Sequence, residues 1–198
     1  GWHWRNLHKI RPDIQVFITD FVLNNLLIAK KNLSNQIGHN ILLIEDDATS
    51  LYFPDNSFDG VWTVQTFQHI PNFKKAVLES YRILKNKGCF INYSFNNQPI
   101  VRVIYKVMKK SYPVDEYVDG QFFLSRSSKK QLKILESIFN YKARVRYSEI
   151  LFSPELKFSI PGKENSLLGK LDSYLSSSFG FFKLIARQES FYLEKNSS

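Results

Sequence analysis

The chain has 198 residues, 43% hydrophobic and 15% aromatic, enough apolar material to bury the core of one domain and too much for general disorder. A single cysteine, Cys89, excludes an intramolecular disulfide, and four scattered histidines offer no zinc spacing; a reducing, cytoplasmic compartment is the expectation. The net charge of +9 is uneven, with 10 Lys+Arg against 8 Asp+Glu over residues 1–101 and 17 against 10 over residues 102–198.

Trp2 to Ile10 has helical spacing, with Trp4, Leu7 and His8 on one face and Pro12 beyond it. Ile14 to Thr19, IQVFIT, is a β-branched apolar run that reads as a buried strand and ends at Asp20. Phe21 to Leu33 places Leu23, Leu26, Leu27 and Ala29 at helical intervals, and Gly38 closes the segment. Asn40 to Asp46, NILLIED, is a second strand that runs into acids. Pro54-Asp55-Asn56 is turn chemistry before the strand GVWTVQT, Gly60 to Thr66.

A helix is expected from Pro71 and Asn72 through Leu84, with Phe73, Val77, Leu78, Tyr81 and Leu84 inward. Lys85 to Gly88 reads as a turn into the strand CFINYSF, Cys89 to Phe95. Val101 to Tyr112 is a basic amphipathic helix, followed by a loop over Asp115 to Phe123. Ser127 is placed to cap a helix over Ser128 to Phe139, with Leu132, Leu135 and Ile138 inward. Lys142 to Phe152 alternates as a strand does, and a last strand is expected within Phe181 to Glu194. Lys195 to Ser198 read as a disordered end. No apolar run is long enough for a transmembrane helix. The alternation of strand and helix implies an α/β sheet of parallel strands joined by crossover helices, with ligands at the C-terminal ends of the strands.

Two acids stand at successive strand ends, Asp20 after VFIT and Asp47 after LLIED. A carboxylate there can accept from both hydroxyls of a ribose, and a second on the next strand can accept from an adenine amino group. Either acid alone is an ordinary solvated strand end. Together they favour recognition of a nucleotide-like cofactor.

Residues 1–95, and more weakly 127–150, resemble the class I S-adenosylmethionine-dependent methyltransferases of the quinone-biosynthesis type. Four features carry the likeness: the Gly1 to Asp20 interval, DATSLYFPDNSFDGVW, QTFQHIPNFKKAVLESYRIL, and the turn before CFINYSF. Asn86-Lys87-Gly88 stands where that family has Pro-Gly-Gly, and Gln68-His69 where it often has two histidines. The resemblance implies a doubly wound, Rossmann-like, mostly parallel sheet with an antiparallel last strand and a small helical lid. It also implies that the first strand and most of the glycine-rich turn precede Gly1. The expected organisation is a single domain over 1–198. A cofactor-binding core spans 1–96 and a lid-like insertion 97–126, the latter with Tyr112, Tyr117 and Phe122–Phe123. Residues 127–198 complete the sheet.

The resemblance further implies that S-adenosyl-L-methionine is the cofactor. Gly1 would end the loop at its methionine part, Asp20 would take the ribose diol, and Phe21 would lie beside the adenine. Asp47 and Ala48 would hold the adenine edge, and Gln65 would face the amino-acid end. Gln68, His69, Tyr93 and Asn96 are the candidates for contact with a small-molecule, lipid-linked or saccharide acceptor. His69 is the candidate general base, although a histidine that merely lines the crevice is the simpler account, because methyl transfer gains much from positioning alone. No metal is expected. Two other readings stay open: a nicotinamide-dependent enzyme, against which FPDNSFDGVW and RILKNKGCF both count, and a non-catalytic module using the basic second half. Specific nucleic-acid binding is not expected, since the cations are spread over several elements, but weak contact with a membrane surface is compatible with them.

Overall fold

The computed structural model describes residues 1–96, 98–111, 128–150, 167–178 and 180–196. They divide into two units, Gly1–Pro54 and Asp55–Ser198. The expected lid aromatics Tyr112, Tyr117 and Phe122–Phe123, and the expected cap Ser127, lie outside the described residues.

In the first unit, the β-branched run at 14–19 and the apolar run at 40–46 form the strands β1 (Val16–Asp20) and β2 (Ile41–Glu45), paired in parallel from Val16–Ile41 to Asp20–Glu45. The opening segment is less regular than expected, a 3₁₀ turn over Trp2–Trp4 and a short helix α1 (Leu7–Ile10). Leu7 is buried but His8 is exposed, so the two do not share an inward face. Helix α2 (Leu23–Leu33) buries Leu26, Ala29 and Leu33. Leu23 and Leu27, expected inward, are exposed. Leu7, Val16, Leu33 and Ile41 form the core of this unit, with Trp4, Ile14, Ile18, Ile37 and Leu43 against it.

The second unit is a mixed sheet in the order β3-β4-β6-β5, built from β3 (Phe58–Val64), β4 (Leu84–Phe95), β5 (Arg144–Ser148) and β6 (Gln188–Glu194). β3 and β4 are parallel, joined through helix α3 (Phe73–Ile83). β6 runs antiparallel to both β4 and β5, which gives the expected antiparallel last strand. The chain is thus an α/β, Rossmann-like fold with parallel and antiparallel strands.

Asn72 caps α3, its side chain accepting from the Lys75 N–H at 3.3 Å. The buried face of α3 is Phe73, Ala76, Val77, Ser80 and Ile83, whereas Leu78 is exposed. The i, i+3, i+4 rule is obeyed about an axis one residue from the one expected. The turn expected at 85–88 is absorbed into β4 as an irregularity, where the pairing register shifts between Phe58 and Gly60. Lys87 is left-handed there (φ 64°), and a Cβ on Gly88 would meet the Lys85 carbonyl oxygen at 2.8 Å. Glycine is therefore demanded by space, the physical reason a Pro-Gly-Gly can become Asn-Lys-Gly provided the last residue stays glycine.

The remaining helices among the described residues are α4 (Pro99–Val107), α5 (Ser128–Phe139) and α6 (Leu167–Ser178). In α5 the fully buried positions are Gln131, Leu135 and Phe139, while Leu132 and Ile138 are half-buried. A chain of rings makes the core. Phe67 packs on Phe73 and Phe90, and Phe139 packs on Phe90 and Tyr81, with centroids 5.1–5.8 Å apart. The expected disorder from Lys195 does not hold for that residue. Lys195 is 7% exposed, and its ammonium donates to Asn56 Oδ1 (3.0 Å), the Tyr81 carbonyl (2.9 Å) and the Leu84 carbonyl (2.7 Å). It also lies over the Tyr81 ring at 4.6 Å. Its two carbonyl partners lie at the C-terminal end of α3, where a cation complements the helix dipole.

Candidate active site

In each unit the polar candidates gather at the C-terminal ends of a parallel strand pair, the position at which open α/β sheets bind ligands.

In the first unit Asp20 ends β1. Its Oδ1 accepts the Val22 N–H at 2.9 Å, and the Asn25 amide reaches both oxygens, Oδ1 at 3.2 Å and Oδ2 at 3.1 Å. The carboxylate is therefore held at the start of α2, where unpaired backbone N–H groups favour negative charge. Phe21, next to it, is 73% exposed and presents an apolar ring. Gly1 packs against α2 so closely that a Cβ would lie 3.0 Å from both Ala29 Cβ and Leu33 Cδ1.

The end of β2 adjoins Asp20, since the Asp46 N–H donates to the Asp20 carbonyl at 3.2 Å. Asp47 is exposed, and its Oδ1 accepts the Thr49 N–H at 2.8 Å. Ala48 is half-buried in the same turn. Sequence reasoning missed what shapes this turn. Asp46 is 6% exposed, and its two oxygens accept the N–H groups of Asp47 (2.9 Å) and Tyr52 (3.1 Å). The signal was the doubled acid, in which the first aspartate builds the loop and the second is presented by it. Asn25 was missed for a like reason, because its role depends on the helix turn that brings residue 25 back over residue 20.

In the second unit Gln65 ends β3 in a left-handed conformation (φ 52°), and its N–H donates to the Tyr93 carbonyl at 2.8 Å. A non-glycine residue there carries a conformational cost that tertiary structure must offset, a pattern concentrated at functional sites. Tyr93 is half-buried, edge-on to Trp62 with centroids 6.0 Å apart. Phe67–His69 form a 3₁₀ turn anchored by the buried Phe67 ring. Gln68 is 2% exposed; its Oε1 accepts the Phe95 N–H at 3.4 Å and its Nε2 lies 3.4 Å from His69 Nε2. Its amide is turned inward, joining β4 to the histidine. His69 stands at the surface, yet neighbouring atoms desolvate it enough to lower its pKa, which keeps the imidazole neutral and able to accept a proton near neutrality. Asn96 is used structurally. Its Nδ2 donates to the carbonyls of Lys183 (2.6 Å) and Ala186 (2.9 Å). Among the described residues no group of three or more His, Cys, Asp or Glu is placed to hold a metal.

Parallel strands with acids at their ends, a glycine against α2, and a polar turn after β3 point to a class of protein. The chain is similar to the class I S-adenosylmethionine-dependent methyltransferases. The methyltransferase domain family matches residues 1–92. Among curated relatives, the chain is 30% identical over 152 residues to the mitochondrial 2-methoxy-6-polyprenyl-1,4-benzoquinol methylase of Oryza sativa subsp. japonica, covering 73% of this chain and 50% of that one. It is 28% identical over 149 residues to a demethylmenaquinone methyltransferase of Listeria monocytogenes serotype 4a, covering 75% of this chain and 62% of that one. The chain thus spans between half and two thirds of the length of these relatives. Among solved structures it resembles phosphoethanolamine N-methyltransferase 2 of Haemonchus contortus in complex with S-adenosyl-L-methionine. The TM-score is 0.66 at 18% identity, over 100% of this chain and 46% of that one, a likeness of fold.

Proposed function

We propose that the protein transfers a methyl group from S-adenosyl-L-methionine to a small-molecule acceptor. The observation that carries this reading is the Asp20 carboxylate, fixed by Val22 and Asn25 at the end of β1 beside the acid-bearing turn at the end of β2. The donor set suits an adenosine. Asp20 would accept from the ribose hydroxyls, the exposed Phe21 ring would lie on the adenine, and Asp47 and Ala48 would hold the adenine edge. Gly1, by the family likeness, would end the loop at the cofactor's methionine part. When bound, the cofactor supplies a methyl group activated by a positive sulfonium sulfur.

The remaining chemistry belongs to the chain's own residues. Tyr93 and His69 would orient the acceptor for in-line attack, and orientation of this kind is itself a large part of the barrier reduction. An acceptor that must lose a proton would find His69 neutral and desolvated. An acceptor already ionised would need no base, and His69 would then only line the site. Quinone-ring acceptors, as named for the two curated relatives, are one acceptor class the reading includes; it extends to other lipid-linked and saccharide acceptors.

Titration calorimetry with S-adenosylhomocysteine tests the reading. Binding to the wild type is expected, with affinity reduced roughly 10²-fold in Asp20→Ala, as loss of two hydrogen bonds to a charged group implies, and less in Asp47→Ala. Equal affinity of wild type and Asp20→Ala would remove Asp20 from the site.

A further inference from the structure

Helix α6 is packed inside out. Its buried positions are Gly169 and Asp172, with Ser176 half-buried one turn on. Asp172 accepts the N–H groups of Glu149 (3.2 Å) and Ile150 (2.8 Å), which satisfies its charge within the protein. The residues at helical spacing on the opposite side are Leu167, Leu168, Leu171 and Tyr174, and all are exposed, Leu167 to 87%. Helix α4 also shows apolar residues outward. Val103, Ile104 and Val107 lie at i, i+1 and i+4, with Met108 following, and all are exposed, Val107 to 77%. A soluble helix ordinarily turns such a stripe inward, and contiguous exposed apolar surface marks a contact site.

The residues that lead into α4 and helix α6 both adjoin the segment 180–186. Gln98, at the start of α4, donates through Nε2 to the Ile185 carbonyl at 2.7 Å, and Asn96 donates to the carbonyls of Lys183 and Ala186. Helix α6 packs on the same 3₁₀ turn, Gly180–Leu184, whose Phe181 is 62% exposed. The charge beside this apolar surface has one sign. Lys106, Lys109 and Lys110 follow α4, Lys170 lies on α6 and Lys183 on the turn, all exposed. The one carboxylate on these three segments is Asp172, which is buried.

We propose that this face docks the protein onto an anionic lipid bilayer, with the leucines, valines and Phe181 entering the interface and the lysines on headgroup phosphates. An apolar stripe bordered by lysines is the chemistry of an interfacial helix, and neither element alone gives stable attachment. A second copy of the chain is a poorer occupant, because a two-fold contact through this face would set lysines against lysines. None of the residues on the face belongs to the candidate active site, so the proposal stands apart from the methyl-transfer reading.

Co-sedimentation with vesicles tests it. The protein is expected to bind vesicles of phosphatidylcholine containing phosphatidylglycerol, to release them as salt is raised, and to ignore vesicles of phosphatidylcholine alone. Val107→Glu combined with Leu171→Glu, and separately Lys106→Gln with Lys109→Gln and Lys110→Gln, should each lower the partition constant at least roughly tenfold while the circular dichroism spectrum and melting curve stay those of the wild type. Unchanged binding in either folded variant, or equal binding to neutral vesicles, overturns the proposal. A stable dimer in solution that Val107→Glu dissociates would overturn it too, by assigning the face to a second copy.

Discussion

The acidic strand ends of the first unit and the amide-rich strand ends of the second are held in opposite ways. Asp20, Asp46 and Asp47 take their N–H partners from one to six residues along the chain: Val22 and Asn25, Asp47 and Tyr52, and Thr49. In the second unit Gln68 is bonded to Phe95, Asn96 to Lys183 and Ala186, Gln98 to Ile185, and Lys195 to Asn56, Tyr81 and Leu84, across 27 to 139 positions. Local ties form whenever the strand-to-helix turn forms. Long-range ties exist only when the sheet is complete, so each carries part of the global stability.

Lys195 should break that contrast open most widely. Lys195→Met keeps the length of the side chain and its apolar packing but leaves two backbone carbonyls and Asn56 Oδ1 without their donor. A loss of about 3 kcal/mol is expected in chemical denaturation, since bonds to a charged group are the stronger kind and buried acceptors left unpaired add their own cost. A loss below about 1 kcal/mol would show that the C-terminal tie is incidental.

Asn96→Ala comes next. It removes two donors to the carbonyls of Lys183 and Ala186, and about 2 kcal/mol is expected. Hydrogen exchange should show the 180–186 turn opening first. Uniform loss of protection across β4 and β6 would instead place Asn96 in the core of the cooperative unit.

Asp20→Ala should cost only about 1 kcal/mol of stability, the scale of a lost helix-start acceptor, while removing most cofactor affinity. This separation of binding from folding is what local support predicts. A thermal melt and a titration on the same preparation measure both, and a variant that loses binding only by unfolding would collapse the distinction.

The smallest effect is that of His69. Its folded pKa is lowered by desolvation, so the unfolded chain takes up the proton first. Stability is full above the ordinary imidazole pKa and is partly lost as pH falls through it toward the lower folded value. His69→Gln should flatten that slope, read from denaturation midpoints across the range. As an acceptor-lining residue, His69→Ala should retain turnover within roughly a thousandfold of wild type; a greater loss in the folded variant would make it the essential base.

Much of the fold was legible in the chain because β-branched runs, turn residues and helical spacing act over a few positions. β1, β2 and the core of β4 lie where the pattern put them, β3 starts and ends two residues earlier than expected, and Asp20 ends β1 while Asp47 follows β2. The misses share one cause. Which face of α2 and α3 is buried, whether 85–88 turns or bulges, and whether Lys195 is loose or clamped are decided by neighbours far along the chain, which periodicity does not see.

The sequence by itself determined an α/β chain with carboxylates at the ends of its first parallel strands, because those features follow from local backbone preference and from side chains that bond their own turn. Only the tertiary structure decided that Gln68 turns inward and holds His69, that Asn96 and Lys195 serve the fold, and that α4 and α6 show their apolar faces outward. Each of these depends on which distant backbone groups need a partner and which surfaces the sheet has already covered, and that is settled only when the whole sheet is assembled.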